Sequence, residues 1–465
     1  MALRKKTTKK KTVKKTGKKT QTVKAKEKNK TKEEPLLLQT LRGMKDILPS
    51  EQSYWEQVRR VAERLARDYG YARMDTPLVE YANLFTRSIG EGTDIVEKEM
   101  YVFTTRGGDK VALRPELTAG NCRSFIQNGM QVLPKPVKIF STGPVYRYDR
   151  PQEGRYREHY QFNFDAFGEQ DPILDAQIIQ IANRLVQSLG IKTMQMQVNS
   201  IGCPLCRKEY RELLISYLES KKNKLCQDCK RRIEINPLRV LDCKEDKCSQ
   251  VAAAAPQSID HLCGECHDHF KTLLEYLDEL DLPYIINPRL VRGLDYYTKT
   301  VFEIWSAGED GKKLSLGGGG RYDKLIKMIG GEDTPAIGFA IGAERIINEM
   351  KRVQAKPYKP ARPKVFLAQL GSLAKKKSLR LFSELEKNGI LTAESFGRGS
   401  LKSQLKVANK LGVEITLILG QKETLEGTVI VKNMSSGEQE TISVDKLVES
   451  VKKKLKSENV VVYHN

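Results

Sequence analysis

Apolar residues recur along this chain with two different periods, and the periods divide it into parts. After the turn-rich GMKDILPS, residues Tyr54, Val58, Val61 and Leu65 form a stripe at helical spacing, with Ser50 expected as N-cap and Gly70 as the stop. From 71 to 170 the pattern shortens to strands and loops. VALRPE, VKIFSTGPVYRYDR and YQFNFDAFG alternate aromatic or β-branched residues with polar ones. In LRPELTAG this spacing sets Arg114, Glu116 and Thr118 on one strand face. Residues 171–285 read as a mainly helical insertion; strands resume at TVFEIW and PAIGFAIG, and a helix opens at Ala343. KPYKPARP, residues 356–363, is too proline-rich for helix or central strand and reads as a linker. Beyond it VFLAQL, LTAESF, VEITLIL and GTVIVKN alternate with helical stretches near 379–387 and 401–411, a small α/β domain over 364–465.

Charge adds a further part at the N-terminus. Residues 1–34 hold Arg4 and fourteen lysines against three glutamates, a net +12 of the chain's +22. A block of like charge cannot collapse, so a disordered arm is expected, with phosphate backbones as its natural partner. The body remains basic without it, which again points to a polyanion. The lysines and threonines of the arm lack the apolar core of a secretion signal, and no apolar run approaches membrane-spanning length. A cytoplasmic, reducing setting is the expectation, with no membrane partner.

The chemistry-bearing residues lie in a few segments. LVRGLDYY, 290–297, compresses a guanidinium (Arg292), a glycine, a carboxylate and the phenols Tyr296 and Tyr297 into a mixture suited to an anionic, aromatic ligand. YRYDRPQEGRYREHYQFNFD carries Arg147, Arg150, Arg155 and Arg157, and folded as a hairpin it places Arg147 on one strand and Gln161 and Asp165 on the other. GGGGRYD, 317–323, lets backbone approach a ligand closely, or is merely a flexible turn. Arg345 follows a strand and opens a helix. Several arginines converging on one sheet suit the phosphates of a nucleoside triphosphate, yet GxxxxGK[ST] is missing, which excludes a P-loop enzyme.

In this order GMKDILP, TPLVE, LRPELTAG, YRYDRPQEGRYREHYQF, NPLRVLD, LVRGLDYY, GGGGRYD and PAIGFAIGAERI resemble the histidine–tRNA ligases, class II aminoacyl-tRNA synthetases. The resemblance runs from about residue 38 into the C-terminal region. It implies an α+β catalytic domain over 35–355, with an antiparallel six-stranded sheet flanked by helices and carrying the helical insertion. It also implies a separate α/β anticodon-binding domain over 364–465 and a homodimer built partly through 43–80. The implied reaction joins L-histidine to tRNA(His) through a histidyl-adenylate, with ATP as substrate and Mg²⁺ travelling with it.

By resemblance Arg147 takes the α-phosphate, Arg155 and Arg345 the outer phosphates, and Arg292 stands beside the α-phosphate and the histidine carboxylate. Glu116 with Thr118 accepts the α-ammonium, and Gln161 bonds near the carboxylate. Asp165 and Tyr297 read the two imidazole nitrogens, with Tyr296 nearby. Many members of the family carry Glu at the position of Asp165. Gln152 matches a position near the extra 5′ guanosine of the tRNA.

Eight of the nine cysteines pair up in the insertion, as Cys203/Cys206, Cys226/Cys229, Cys243/Cys248 and Cys263/Cys266. In a reducing setting this spacing favours Cys₄ zinc over disulfides. Eight thiolates close two structural Zn²⁺ sites, or some pairs stay free; His267 and His269 are lesser candidates. Cys122 reads as a lone core thiol. Two other readings compete with the ligase. One is a non-catalytic relative serving a histidine-biosynthesis transferase as regulatory subunit; the other is a zinc-dependent RNA-binding protein using only arm and insertion.

Overall fold

The apolar stripe of the first helix organises everything behind it. Helix α1 (Gln52–Asp68) buries Trp55, Val58, Val61, Ala62, Leu65 and Ala66, and Gly70 ends it at φ +73. Ser50 is not its cap: the chain turns at Leu48–Glu51, and Glu51 occupies the capping position without a side-chain bond. The computed structural model describes residues 38–90, 92–151, 154–307 and 313–455. The expected arm over 1–34 and Gln152 therefore lie outside the described residues.

Against α1 stands an eight-stranded sheet in the order β1-β5-β6-β11-β10-β9-β7-β8. Its strands are β1 (Ala72–Arg73), β5 (Val137–Tyr146), β6 (Glu158–Phe167), β11 (Ala336–Gly342), β10 (Lys313–Arg321), β9 (Thr298–Ala307), β7 (Met194–Ser200) and β8 (Tyr284–Ile286). The six from β5 to β7 pair antiparallel throughout. The expected six-stranded sheet is this central part; β1 and β8 add one short parallel strand at each edge. A three-stranded sheet, β2 (Val79–Tyr81), β4 (Lys110–Leu113) and β3 (Val102–Thr104), stands apart.

Two helices interrupt the stretch expected to be strands and loops, α2 (Ala82–Ile89) and α3 (Thr118–Gln127). Strand β4 ends at Leu113, so Arg114, Glu116 and Thr118 do not share a strand face. Arg114 turns to the carbonyls of Thr76 (2.7 Å) and Pro144 (2.9 Å), and Thr118 opens α3.

Helix α4 (Pro172–Ser188) is capped by Asp171, whose side chain accepts from Ile173 N. It packs Leu174, Ile178, Ile181 and Leu185 into the core shared with α1, Phe162, Phe164 and Phe339. Together with β7, this helix belongs to the sheet layer, so the helical insertion proper is shorter than 171–285. It holds α5 (Pro204–Ser220), α6 (Gln227–Ile235), α7 (Asp246–Ala253) and α8 (Gly264–Glu279). After β10 come α9 (Leu325–Met328) and then α10 (Ala343–Arg352), which follows β11 directly.

The 356–363 segment carries no regular structure, and it meets α1 where Tyr358 N donates to Ser53 O at 3.2 Å. The C-terminal domain orders its sheet β13-β12-β14-β15-β16. Strands β12 (Val365–Gln369), β13 (Thr392–Glu394) and β14 (Ile415–Leu419) run parallel, while β15 (Thr428–Asn433) and β16 (Gln439–Ser443) close the edge antiparallel. Both faces are covered by α11 (Ser372–Lys387), α12 (Leu401–Leu411), α13 (Gln421–Glu426) and α14 (Leu447–Leu455). Alternate residues of β12 divide accordingly: Val365 and Leu367 join one core, Phe366 and Ala368 the other. Among the described residues no helix is long and apolar enough to cross a membrane.

Candidate active site

Strand β6 is central and two-faced, and the candidate site grows from one of its faces. Phe162, Phe164 and Ala166 enter the core beneath α1 and α4. The intervening His159, Gln161, Asn163 and Asp165 point to the opposite side. Next to them the sheet is almost bare. A Cβ at Gly338 on β11 would stand 2.7 Å from the Tyr322 hydroxyl; one at Gly318 on β10 would stand 2.8 Å from Arg292 Nη1. Gly317–Gly320 is thus no turn but part of β10, and its missing side chains give the site its depth.

Asp165 is fully buried on this floor. Its Oδ1 accepts from the Tyr322 hydroxyl at 2.5 Å and from Thr118 Oγ1 at 3.4 Å, and Oδ2 accepts from Asn121 Nδ2 at 2.7 Å. Burial raises its pKa to about 6 against these donors, which favour the charged form. One acceptor position on Oδ2 remains for a ligand. Tyr297 approaches through Tyr322, at 6.3 Å between ring centroids, and Tyr296 lies tilted against Tyr297 at 4.7 Å and edge-on to Tyr322 at 5.5 Å. Tyr322 and Asn121 were not singled out from the sequence. Tyr322 was hidden in a glycine run readable as a turn, and Asn121 in a stretch read as strands and loops.

Glu116 lies in the turn before α3, where Oε2 accepts from Thr118 N (2.9 Å) and Oε1 from Ala119 N (2.6 Å). The Tyr296 hydroxyl reaches Oε2 at 3.4 Å. Burial lifts its pKa to about 7, while the two N–H donors at the helix start oppose that rise. A carboxylate so held gains a great deal from a cation, and an ammonium suits it.

The arginines divide into two groups. Arg147 follows β5 and donates Nε to Pro115 O at 2.8 Å; Arg155 pairs with Asp149; Arg345, in the first turn of α10, donates to Gly154 O (3.1 Å) and Ser315 O (2.8 Å). Burial and the charges of Arg155 and Arg147 all press the Arg345 pKa down, so the three guanidinium groups form one cationic cluster. Burial, Arg147 and Arg345 hold His159 near a pKa of about 3, hence neutral. Arg292 stands separately, paired with Glu303 and with its guanidinium 5.6 Å from the Tyr297 ring centre. Arg292 Nε and Gln161 Oε1 are buried without hydrogen-bond partners, an idle donor and an idle acceptor on the walls of the site.

Cys203, Cys206, Cys263 and Cys266 gather in one cluster, and Cys226, Cys229, Cys243 and Cys248 in a second, each with its sulfurs within 4.8 Å of one another. The outer two pairs thus combine, and so do the inner two. His269 does not join either; its Nε2 lies 2.9 Å from Asp175 Oδ2, and His267 lies against Asp268. Cys122 is a buried thiol in the core, as expected.

Residues 43–346 match the family described as Histidyl-tRNA synthetase. The chain belongs to that family. Residues 364–454 match the Anticodon binding domain. Among curated relatives, the histidine–tRNA ligase of Dehalococcoides mccartyi is 50% identical over 419 residues, which are 90% of this chain and all of that protein. That of Desulforamulus reducens is 44% identical over 412 residues, 88% of this chain and 98% of the relative. The apo histidyl-tRNA synthetase of S. aureus superposes with a TM-score of 0.75 at 33% identity, covering 89% of this chain and 99% of that one.

The histidyl-tRNA synthetase fold accounts for the antiparallel catalytic sheet and the separate C-terminal sheet domain, and the chain is a histidine–tRNA ligase forming an aminoacyl-tRNA. Its substrates are histidine, ATP and tRNA. The regulatory-subunit and RNA-binding readings are thereby set aside.

Proposed function

We propose that the floor formed by β6, β10 and β11 is where this chain activates L-histidine for transfer to tRNA(His). The observation that carries the reading is the meeting, on one sheet face, of a buried carboxylate network with tyrosines and, beside it, a cluster of three arginines. Histidine presents an ammonium, a carboxylate and two ring nitrogens; ATP presents phosphates. Glu116, with Thr118, takes the ammonium. Arg292 Nε, idle in the free site, donates to the carboxylate, and Gln161 donates near it through its amide Nε2. Asp165, set by Tyr322 and Asn121, accepts from one imidazole nitrogen, and Tyr297 with Tyr296 encloses the ring.

Arg147 meets the α-phosphate, and Arg155 and Arg345 the outer phosphates. The histidine carboxylate oxygen then bonds to the α-phosphorus as the bond to pyrophosphate breaks. Positioning two anions and neutralising their charge is the main catalytic task, and guanidinium groups that never lose their proton perform it. In a second step the 3′-terminal ribose of the tRNA takes the histidyl group from the adenylate. Mg²⁺ enters with ATP, held largely by phosphate and water, which agrees with a phosphate end lined by cations. Each thiol tetrad holds one structural Zn²⁺.

The domain limits of 35–355, 356–363 and 364–465 follow from the same reading. Leu78, Val79 and Tyr81, with Val102 and Phe103, are exposed on the small sheet. Such an apolar patch suits a second copy of this chain, so a cytoplasmic homodimer is the proposed working form, with the basic arm over 1–34 attracted to tRNA.

A double dissociation tests the site assignment. In ATP–pyrophosphate exchange, Asp165→Asn raises the KM for histidine about 10-fold or more with little change for ATP, and Arg345→Gln does the reverse. Equal effects of either substitution on both substrates would reject the assignment.

A further inference from the structure

We infer that the two thiol tetrads are braces, which set the backbone of Val291–Lys299 and thereby the affinity for histidine from outside the pocket. The inference rests on the zinc reading given above and extends it to what the ions do.

Tetrahedral zinc with a Zn–S bond of about 2.3 Å has sulfurs about 3.8 Å apart. Cys203 and Cys206 Sγ lie 3.6 Å apart, and Cys226 and Cys243 Sγ 4.0 Å. A disulfide requires about 2.05 Å. Backbone amides also point at the sulfurs across the pairs: Cys263 N at Cys206 Sγ (3.1 Å) and Cys226 N at Cys248 Sγ (3.2 Å).

The segment carrying Arg292, Tyr296 and Tyr297 has no strand or helix of its own between 287 and 297, so no backbone ladder fixes it. A cavity lies beneath it, lined by Arg207, Asn236, Arg239, Leu294 and Asp295. Asp295 N donates to Ile89 O at 3.0 Å and Asn199 Nδ2 to Leu290 O at 3.0 Å, and further ties come from residues next to the thiols. From the outer tetrad, Arg207 follows Cys206 directly and donates to Tyr297 O, and Glu265, between Cys263 and Cys266, accepts from Lys299 Nζ at 2.7 Å. The chain just before Cys203 pairs with the start of β9, directly after this stretch, Lys299 N to Gly202 O at 2.9 Å and Ile201 N to Lys299 O at 2.9 Å.

From the inner tetrad, α6 runs from Cys226 and Cys229 to Asn236, whose Nδ2 donates to Asp295 Oδ1 at 2.6 Å. Arg239, between that helix and Cys243, donates to Arg292 O at 3.4 Å. On its far side α6 is tied down through Arg232 to Asp94 at 2.7 Å. An ion joining α5 to α8, and another joining α6 to the chain around Cys243 and Cys248, fixes these donors relative to each other.

The test combines metal content with steady-state kinetics of ATP–pyrophosphate exchange by the full chain purified without chelator. Two zinc ions per chain are expected by mass spectrometry. Cys226→Ser with Cys243→Ser should remove one ion and raise the KM for histidine about 10-fold, the KM for ATP and the kcat changing little. Because cysteine variants can misfold, Asn236→Ala tests the brace with both tetrads intact. It should keep two ions and an unchanged circular dichroism spectrum, yet raise the KM for histidine alone. Protein that neither contains zinc nor takes it up overturns the metal sites. Two bound ions with an unaltered KM for histidine in Asn236→Ala and in the cysteine double variant overturn the brace and leave the zinc reading standing.

Discussion

The Tyr322 hydroxyl donates a 2.5 Å hydrogen bond to Asp165 Oδ1, across the bare floor that Gly338 leaves between them. Asp165 therefore does not meet the ligand as a free carboxylate; its orientation is fixed beforehand by Tyr322 and Asn121. Tyr322→Phe removes a bond to a charged group while keeping the ring, and such bonds are worth about 1.5–3 kcal/mol. The KM for histidine should rise about 10- to 100-fold, with the KM for ATP little changed. Exchange kinetics at varied histidine and varied ATP measure both, and an unchanged histidine KM would remove Tyr322 from recognition.

The history of these two residues shows what the chain made legible. Asp165 and Gln161 were readable because polar and aromatic or apolar residues alternate along β6, although burial reaches both faces of the strand. Tyr322 was not, since four glycines look like a turn until their neighbours show that β10 runs between two partners. Glu116 was found by type and motif, though its place in a turn before α3 was hidden by the alternation of LRPELTAG. The edge strands β1 and β8, two and three residues long, carry no periodic signal, for their pairing depends on partners far along the chain. The four cysteine pairs were plain, whereas which pair joined which required the helices.

Glu116 offers a test through pH. Its folded pKa of about 7 lies above the ordinary 4.5, so the folded state binds the extra proton between those values. The buried charge therefore lowers wild-type stability progressively as pH rises from about 4.5 to 7, by up to about 3 kcal/mol. Glu116→Gln, which carries no charge, should be more stable than wild type at pH 8 and lose that advantage near pH 5. Denaturant titrations at the two pH values check the sign. The same advantage at both would contradict it.

Gly338 is a test of the floor. An added methyl would meet Phe164 O at 2.6 Å and the Tyr322 hydroxyl at 2.7 Å. Gly338→Ala should cost about 1–3 kcal/mol of stability, as overpacking does, and weaken histidine binding in the fraction that folds. Calorimetric titration of histidine into the folded variant is the check; wild-type affinity would show that the floor is not the histidine site.

Behind the sheet, Arg321 and Asp175 form a fully buried ion pair at 2.7 Å, and Asp175 also meets Thr300 Oγ1 (2.6 Å) and His269 Nε2 (2.9 Å). Removing one partner strands a buried charge, so Asp175→Ala should destabilise by about 3–5 kcal/mol. Adding Arg321→Met should recover part of that loss. Unfolding curves of the single and double variants decide it, and a double variant worse than the single would show that the pair is not what Arg321 mainly serves.

Arg292 and the β6 floor form the proposed adenylation site. Histidine-dependent ATP–pyrophosphate exchange by the purified wild type and by Arg292→Ala tests it most directly. Robust exchange with histidine is predicted for the wild type, and a loss of about 10²- to 10³-fold in the variant with its circular dichroism spectrum intact. Exchange by Arg292→Ala at the wild-type rate, or none by the folded wild type, would contradict the account.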